Sequence, residues 1–360
     1  MAGERTADNL ARVDAAFREG ALSLSAPPTR FYLNLTERCS LRCRHCLTRA
    51  PQKTASGEAR DMSMSVVDAL RPHFAHAAYL GFPHAGEPLV SPALEPILLA
   101  LREARAGEPT AVHLLTNGLA LTEERFAHLS ALGVNSWSVS IDGMTAATHD
   151  ALRVGSSIDQ LLSRLRSLCL LRAASCKAAR IGVAWTITRS NLGEIPQLLE
   201  FSAAAGLDWV KLEEMFAHDE ASHTEAQIAP EHLRLALEKA RAQAQSLGVR
   251  LLEHVFEMAV WKCRLDSDEP MARFSRLDDF ANRMEINPCR LPYELVCVEP
   301  DGDLKPMTFH APAAGNLLRE DLLACWNAAP FAEARSQARA RRLCGEGPAT
   351  CASDPGPERW

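Results

Sequence analysis

The chain has 360 residues, 47% of them hydrophobic, and a formal net charge of −6 at pH 7. This length suits one barrel-sized domain of about 250 residues with a smaller appendage. The acidic balance without a long basic block argues against a nucleic-acid partner, and no apolar run approaches the ~18 residues of a membrane span.

The cysteines and the N-terminus indicate the compartment. There are eleven cysteines, an odd number, scattered along the chain. The N-terminus carries Arg5, Asp8, Arg12 and Asp14 where a secretory signal would need an apolar stretch. We therefore expect a cytoplasmic protein with free or metal-bound thiols rather than disulfides.

The first part of the chain alternates between strand and helix patterns. Residues 1–28 are predicted to contain one amphipathic helix. Apolar runs then predict strands at 31–35, 77–82, 111–115, 136–141, 179–187 and 207–212. Helical patterns follow near 64–75, 92–105, 122–132, 157–173, 192–205 and 230–247. This α/β pattern over residues 29–263 predicts parallel strands covered by helices, as a partial TIM-type barrel or a doubly wound sheet.

The C-terminal part has a different pattern. Residues 264–288 are charged and irregular, and we interpret them as a connection to a small α+β subdomain at 289–351. Within it, 295–298 and 304–307 flank a Pro-Asp-Gly-Asp turn, which predicts a β-hairpin. Helices are expected near 319–326 and 329–341, followed by a loose tail at 352–360.

A cysteine triplet follows the first predicted strand. Cys39, Cys43 and Cys46 are separated by three residues and then two. Three thiolates on one short loop suit an iron–sulfur cluster or zinc. A closed zinc site needs a fourth ligand, and the next cysteine is not reached until Cys169. Three ligands and one vacancy are what a [4Fe–4S] cluster needs if its fourth iron binds a cofactor or substrate.

This spacing after a first strand resembles the signature of the radical S-adenosylmethionine (SAM) superfamily. In that family the residue before the last cysteine, here His45, lies near the adenine of SAM. Gly86-Glu87-Pro88, after the second strand, resembles the motif for the methionyl ammonium, with Ala85 where a further glycine is usual. An ammonium has only donors, so carbonyl and carboxylate oxygens are suitable partners.

Three further stretches match the same family at later strand ends. Thr116-Asn117-Gly118 follows the third strand and resembles a frequent family turn. Ser140-Ile141-Asp142 ends the fourth strand and resembles the motif that contacts the ribose hydroxyls and the methionyl carboxylate. Arg153 resembles an arginine that approaches this carboxylate, although the residues alone equally allow a solvated cation at a helix end.

The resemblance implies a partial (β/α)6 barrel with SAM on the vacant iron of a [4Fe–4S] cluster. Reductive cleavage of SAM would produce a 5′-deoxyadenosyl radical that takes a hydrogen atom from the substrate. The resemblance also implies a flavodoxin or ferredoxin as electron donor.

The C-terminal subdomain resembles a degenerate SPASM/Twitch extension of the same superfamily. That extension normally has a cysteine where this chain has Met307, and thioether sulfur is a poor ligand for such clusters. A second [4Fe–4S] cluster would need another ligand set, with His310 as a substitute. The candidates for that set are Cys289, Cys297, Cys344 and Cys351. The alternative is a metal-free structural cap.

These features lead to one leading hypothesis and several alternatives. The region before Phe31 is short, which favours a small polar metabolite such as a sugar, nucleoside or aminoglycoside-like intermediate. Without a second cluster the outcome would be redox-neutral: decarboxylation, epimerisation or elimination. Cys297 is a candidate hydrogen donor and Glu213, after the sixth strand, a candidate substrate or proton contact. Peptide modification or dehydrogenation by the same chemistry, and a non-catalytic iron–sulfur scaffold, remain alternatives.

Overall fold

The computed structural model describes residues 2–82, 85–108, 110–215, 217–254, 290–306 and 311–339. The helices are α1 (Ala2–Glu19), α2 (Ala50–Ser56), α3 (Met64–Leu70), α4 (Leu94–Ala104), α5 (Glu123–Ala131), α6 (Ile158–Ser175), α7 (Ile195–Ala205), α8 (Glu220–Ala226), α9 (Pro230–Leu247), α10 (Leu291–Glu294), α11 (Leu322–Trp326) and α12 (Ala329–Arg339). Short turns of other helix types lie at Arg71–His76, Pro88–Val90, Ala146–Asp150 and Leu192–Glu194.

The strands are β1 (Arg30–Leu33), β2 (Arg42–Cys43), β3 (Tyr79–Phe82), β4 (Ala111–Thr116), β5 (Ser136–Ser140), β6 (Arg153–Val154), β7 (Arg180–Ile187), β8 (Trp209–Glu214), β9 (Leu251–His254), β10 (Leu295–Val298), β11 (Asp303–Lys305) and β12 (Gly315–Asn316). Ten of them form one sheet in the order β12-β11-β10-β1-β3-β4-β5-β7-β8-β9, and β2 pairs with β6 separately.

The order of the strands decides between the two predicted architectures. From β1 to β9, spatial order follows chain order, and each neighbouring pair is parallel. A doubly wound sheet would reverse direction at a switch point, which this order does not do. The sheet is therefore wound in one direction, as in a partial barrel, and the described strands leave it open.

The six strand runs and six helices predicted from the sequence are confirmed within a few residues. The hairpin is confirmed as β10 and β11, which pair antiparallel through Cys297 and Lys305. The sequence did not predict β9, or that β10 pairs in parallel with β1, with Arg30 opposite Leu295 and Leu33 opposite Val298. The hairpin therefore continues the barrel sheet and satisfies the backbone groups along the other edge of β1.

The two faces of the sheet differ in polarity. On β8, Val210 and Leu212 are fully buried in the hydrophobic core, so the alternating Lys211 and Glu213 project from the opposite, inner face of the barrel. Lower on that face, a Cβ on Gly182 would lie 2.2 Å from the indole of Trp209. The indole of Trp209 therefore packs directly against the backbone of β7 at Gly182.

A buried arginine joins the C-terminal helices to the N-terminal segment. Arg335 donates hydrogen bonds to the carbonyls of Leu22, Pro292 and Trp326, and its guanidinium lies 4.5 Å from the ring centroid of Trp326. Burial lowers the pKa of Arg335 to about 10. The carbonyls and the ring replace water around the cation, so the arginine fixes three segments together. None of the described helices is long and apolar enough to cross a membrane.

Candidate functional site

The cysteine triplet lies on a loop that leaves β1 at the mouth of the barrel. The two-residue strand β2 fixes this loop, because Cys43 pairs with Arg153 and Arg42 with Val154 of β6. The amide of Cys39 donates to Thr54 Oγ1 at 3.0 Å, which ties the loop to α2. All three thiols are partly buried.

The three thiols interact with one another electrostatically. Burial raises the pKa of Cys39, and the neighbouring Cys46 adds to the rise. Burial also raises the pKa of Cys43 to about 12, with contributions from both other cysteines. Such thiols become thiolates only with a compensating positive charge, and bound iron supplies one.

The cysteines of the triplet do not form a compact ligand set for a single ion in the described part of the chain. Among the described residues, no three Cys, His, Asp or Glu side chains converge closely enough to hold one metal ion. A [4Fe–4S] cluster binds each thiolate through a different iron, so its cysteine sulfurs lie farther apart than the ligands of one zinc ion. The three thiols are thus compatible with the wider spacing of cluster ligands.

The Gly86-Glu87-Pro88 loop packs directly against the loop of the cysteines. The amides of Gly86 and Glu87 donate to the carbonyls of Thr36 and Arg38 at 2.8 and 2.7 Å. A Cβ on Gly86 would lie 2.1 Å from the Arg38 carbonyl oxygen, so only glycine fits this approach. Pro88 begins a single helical turn, Pro88–Val90.

The Glu87 carboxylate holds this loop from inside the protein. It accepts hydrogen bonds from Thr116 Oγ1 at 2.6 Å and from the amides of Asn117 and Leu89 at 2.7 and 3.1 Å. The residue is only 2% exposed, and burial raises its pKa. With three internal donors, the Glu87 carboxylate fixes the conformation of the Gly86-Glu87-Pro88 loop.

Asn117 connects the end of β4 to the cysteine loop. Its Nδ2 donates to Ser40 Oγ at 3.3 Å and lies 3.8 Å from the sulfur of Cys39. Its Oδ1 accepts from the amide of Leu119 at 2.9 Å. Asn117 therefore supports the first cysteine of the triplet, a role that the sequence did not specify.

A buried triad of charged side chains lies beside Cys43. The Asp142 carboxylate accepts from Arg153 Nε, lies 3.0 Å from His45 Nε2, and accepts the Thr186 amide at 2.7 Å. Burial alone would raise the pKa of Asp142, but Arg153 and His45 hold it below its usual range. Asp142 is 0% exposed, and its carboxylate orients His45 and Arg153.

Arg153 and His45, the two partners of Asp142, each have a nitrogen that does not bind the Asp142 carboxylate. The Arg153 side chain is 13% exposed and places Nη1 4.0 Å from the sulfur of Cys43, so it is not the solvated cation that the sequence also allowed. His45 Nδ1 is buried and has no hydrogen-bond partner in the described part of the chain. An unpaired ring nitrogen at this place is a suitable contact for a heteroaromatic ligand such as adenine.

Two buried residues, His149 and Asn191, fix the Asp142 loop. His149 accepts the Asp142 amide at its Nδ1, at 3.2 Å, and its Nε2 lies 3.0 Å from Ser156 Oγ. Burial lowers the pKa of His149 to about 4, so the ring is neutral. Asn191 donates to the carbonyls of Asp142 and Thr186 at 3.1 and 2.8 Å. No local pattern indicates either role, because both depend on loops brought together by the fold.

The comparison with known families agrees with this geometry. The model of the radical SAM superfamily matches residues 33–201, the part of the chain that holds the three cysteines and the triad. Residues 33–201 are therefore similar to a radical SAM domain. Known members of this superfamily use a [4Fe–4S] cluster together with SAM.

The relatives of this radical SAM domain catalyse diverse reactions. Pre-heme d1 synthase of Dinoroseobacter shibae is 30% identical over 181 residues, and mycofactocin maturase MftC of Mycobacterium tuberculosis is 27% identical over 172 residues. The matches cover 49% and 48% of this chain but only 40% and 41% of these relatives. The chain therefore matches less than half the length of either enzyme.

Solved radical SAM structures share the fold at low identity. SuiB of Streptococcus suis bound to S-adenosylmethionine has a TM-score of 0.66 over 89% of this chain and 70% of SuiB, at 14% identity. The enzyme anSMEcpe with bound AdoMet has a TM-score of 0.61 over 89% of this chain and 86% of its own, at 15% identity. Both support an open α/β barrel.

The inner face of the barrel carries the remaining candidates. Ser140 ends β5 and is 8% exposed, and in the sheet register Ala184 separates it from Lys211. Lys211 forms an ion pair with Glu213 at 2.8 Å, and Glu213 lies opposite Thr186, whose amide binds Asp142. Glu213 is therefore adjacent to the triad, at the mouth of the barrel.

Cys297 lies on the inner face at the other side, on β10. Its neighbours Val296 and Val298 belong to the hydrophobic core, and Cys297 itself is 0% exposed. Burial raises the pKa of Cys297, so it is a protonated thiol. Nearby, Glu299 forms an ion pair with Lys305 at 3.1 Å and accepts from Asn34 at 3.1 Å.

The other candidate ligands of a second cluster cannot be placed. Cys289, Cys344 and Cys351, together with Met307 and His310, lie outside the described residues. The predicted connection and the predicted tail lie outside them as well.

Proposed function

We propose that this chain is a radical SAM enzyme that begins its reaction by abstracting a hydrogen atom from an unactivated carbon. A [4Fe–4S] cluster on Cys39, Cys43 and Cys46, with SAM on its fourth iron, would supply the one-electron chemistry. The observation that carries this proposal is the Arg153–Asp142–His45 triad beside Cys43.

The residues of the chain then have distinct tasks around SAM. The free N–H groups of Arg153 suit a methionyl carboxylate, for which a guanidinium has matching geometry. The Gly86 loop offers backbone carbonyls to an ammonium, and the unpaired His45 Nδ1 suits the adenine. Asp142, Glu87 and Asn117 hold these groups in place.

For the substrate we propose a small polar metabolite. The support is the charged inner face, where the pairs Lys211–Glu213 and Lys305–Glu299 point towards the space enclosed by the strands. A charged wall suits a substrate with hydroxyl, amino or carboxylate groups better than an apolar one. We further propose a redox-neutral outcome, because Met307 replaces a thiolate ligand of the auxiliary cluster.

A second candidate is peptide modification by the same chemistry. The observation that favours it is that two structures of similar fold contain a peptide: SuiB bound to its precursor peptide SuiA, and anSMEcpe with the Cp18Cys peptide. A peptide substrate would require a complex between this chain and a peptide, which a pull-down with candidate precursor peptides can measure.

Anaerobic reconstitution and iron counting test the proposal. The wild type should bind about four irons per chain and the Cys39→Ala/Cys43→Ala/Cys46→Ala variant none. About eight irons in the wild type and about four in the triple variant would reveal a second cluster and favour an oxidative outcome. A matched Cys169→Ala/Cys176→Ala control, on α6 and just after it, should leave the iron content unchanged. Zinc in place of iron, or full iron retention in the triple variant, would refute the radical SAM assignment.

A further inference from the structure

The loop of the cysteine triplet has an unusual charge for this chain. Although the whole chain has a net charge of −6, residues 38–57 contain no Asp or Glu. The same stretch contains five cations: Arg38, Arg42, Arg44, Arg49 and Lys53. The local positive charge is therefore a property of the surface around the cluster site.

Two of these cations are neutralised by neighbours. Arg38 pairs with Asp61 at 2.8 Å, and Lys53 pairs with Glu37 at 2.6 Å. Burial would raise the pKa of Glu37, but Arg60 and Lys53 lower it to about 2, so it is ionised. These two cations serve the structure of the loop.

The other three cations have no such role. Arg42, Arg44 and Arg49 are exposed, and their guanidinium groups have no hydrogen-bond or ion-pair partner among the described residues. Side chains alternate between the two faces of a strand, which explains why Arg42 and Arg44 are exposed. On β2 the Cys43 side chain turns inward to Arg153, and the side chains of Arg42 and Arg44 on either side turn outward. Arg49 is held near Cys46 because its amide donates to the Cys46 carbonyl at 3.1 Å.

We propose that Arg42, Arg44 and Arg49 form the docking surface for an acidic one-electron carrier protein of the flavodoxin or ferredoxin type. This inference rests on the proposed function. Electron transfer needs close approach to the cluster, and these arginines flank two of its three ligands on the solvent side. One electron passes from the reduced carrier to the oxidised cluster, and the carrier is left oxidised by one electron. Opposite charge on the two surfaces steers this encounter.

The test uses the reconstituted enzyme and a variant with Arg42→Glu, Arg44→Glu and Arg49→Glu. Binding of oxidised flavodoxin is measured by the anisotropy of its flavin, and cluster reduction by flavodoxin hydroquinone is measured by stopped flow. We expect binding and reduction to weaken about tenfold or more in the variant, and wild-type reduction to slow as salt is added.

A control variant has the same change of charge at a surface away from the cysteine triplet. Arg102, Arg234 and Lys239 are exposed on the outer helices α4 and α9, and their replacement by Glu should leave both measurements within about twofold. An equal loss in this control would mean that net charge alone is responsible, and would overturn the proposal. Two further results would overturn the proposal. One is unchanged reduction of the cluster by flavodoxin and by ferredoxin in the first variant, and the other is tighter binding of an RNA duplex than of either carrier.

Dithionite at high salt separates this inference from the function on which it rests. It should drive formation of 5′-deoxyadenosine from SAM equally in wild type and both variants, because surface charge is then screened. If dithionite yields no 5′-deoxyadenosine in the wild type, the proposed function fails and the docking surface with it. If dithionite succeeds and only the arginine variant loses reduction by the carrier, both stand.

Discussion

The two sides of the barrel mouth hold their charges differently. On the side of β3, β4 and β5, the carboxylates of Glu87 and Asp142 are 2% and 0% exposed, and each has three partners inside the protein. On the flanking strands, with β8 at one end of this group and the β10–β11 hairpin at the other, the Lys211–Glu213 and Lys305–Glu299 pairs keep side-chain exposures between 11% and 31%.

This difference matches a division of labour within one site. Groups that hold a constant cofactor benefit from preorganisation, because fixed dipoles need no rearrangement when it binds. Groups that meet a variable substrate need to remain accessible from the mouth. We therefore call the first side the cofactor side and the second the substrate side, and the following changes test that distinction.

The largest effect is expected for Asp142→Asn on the cofactor side. The substitution leaves Arg153 and His45 without their buried counter-charge, which should lower the free energy of unfolding by about 3 kcal/mol. SAM binding to the reconstituted protein, measured by equilibrium dialysis, should weaken at least about tenfold, because both oriented groups lose their support.

Asp68→Asn is the matched control, since Asp68 is exposed on α3 and its one ion pair among the described residues is with Arg71. It should change the free energy of unfolding by less than about 0.5 kcal/mol. An equally small effect of Asp142→Asn would contradict the role of the triad.

The next effect is expected from Gly86→Ala. Its Cβ would meet the Arg38 carbonyl at 2.1 Å, so the cysteine loop has to move. We expect a loss of about 2 kcal/mol in the free energy of unfolding and a lower iron content after reconstitution.

The neighbouring Ala85 has φ +87°, so the reverse substitution at this position should have the opposite effect and serves as the control. Ala85→Gly should stabilise the protein by up to about 1 kcal/mol, measured by denaturant unfolding. Equal iron content in both variants would argue against this contact.

His149→Asn should change how stability depends on pH. Burial lowers the pKa of His149 from 6.5 to about 4, so between these values the unfolded chain binds a proton that the folded chain does not. Its contribution is present above the unfolded pKa and is lost as pH falls towards the folded pKa. Between about pH 7 and about pH 5.5, the wild type should lose about 1 kcal/mol more than the variant, measured by denaturant unfolding. Parallel pH profiles would mean that His149 is not buried as a neutral ring.

The smallest effect is expected for Lys211→Met on the substrate side. The ion pair with Glu213 is partly exposed, so the free energy of unfolding should change by less than about 1 kcal/mol. SAM binding, measured by the same dialysis, should remain within about twofold of the wild type, because Lys211 touches none of the triad residues. A tenfold loss of SAM affinity would assign Lys211 to the cofactor side and remove the distinction between the two sides.

The sequence alone predicted much of the fold and placed its candidate cofactor residues at the ends of the strands. The alternation of strand and helix patterns located six strands and six helices, because hydrophobic periodicity is a local property. The spacing of Cys39, Cys43 and Cys46 indicated a cluster, because the ligands lie on one short loop. The approximate positions of Gly86, Asn117 and Asp142 followed from their places at strand ends.

Only the tertiary structure decided what these groups contact. It turned the carboxylates of Glu87 and Asp142 towards partners inside the protein, and it brought His149 and Asn191 to the same loop. It also placed β10 beside β1, which joined the C-terminal hairpin to the barrel sheet. Local patterns cannot determine such contacts, because a buried charge takes the partners that the fold brings to it from distant parts of the chain.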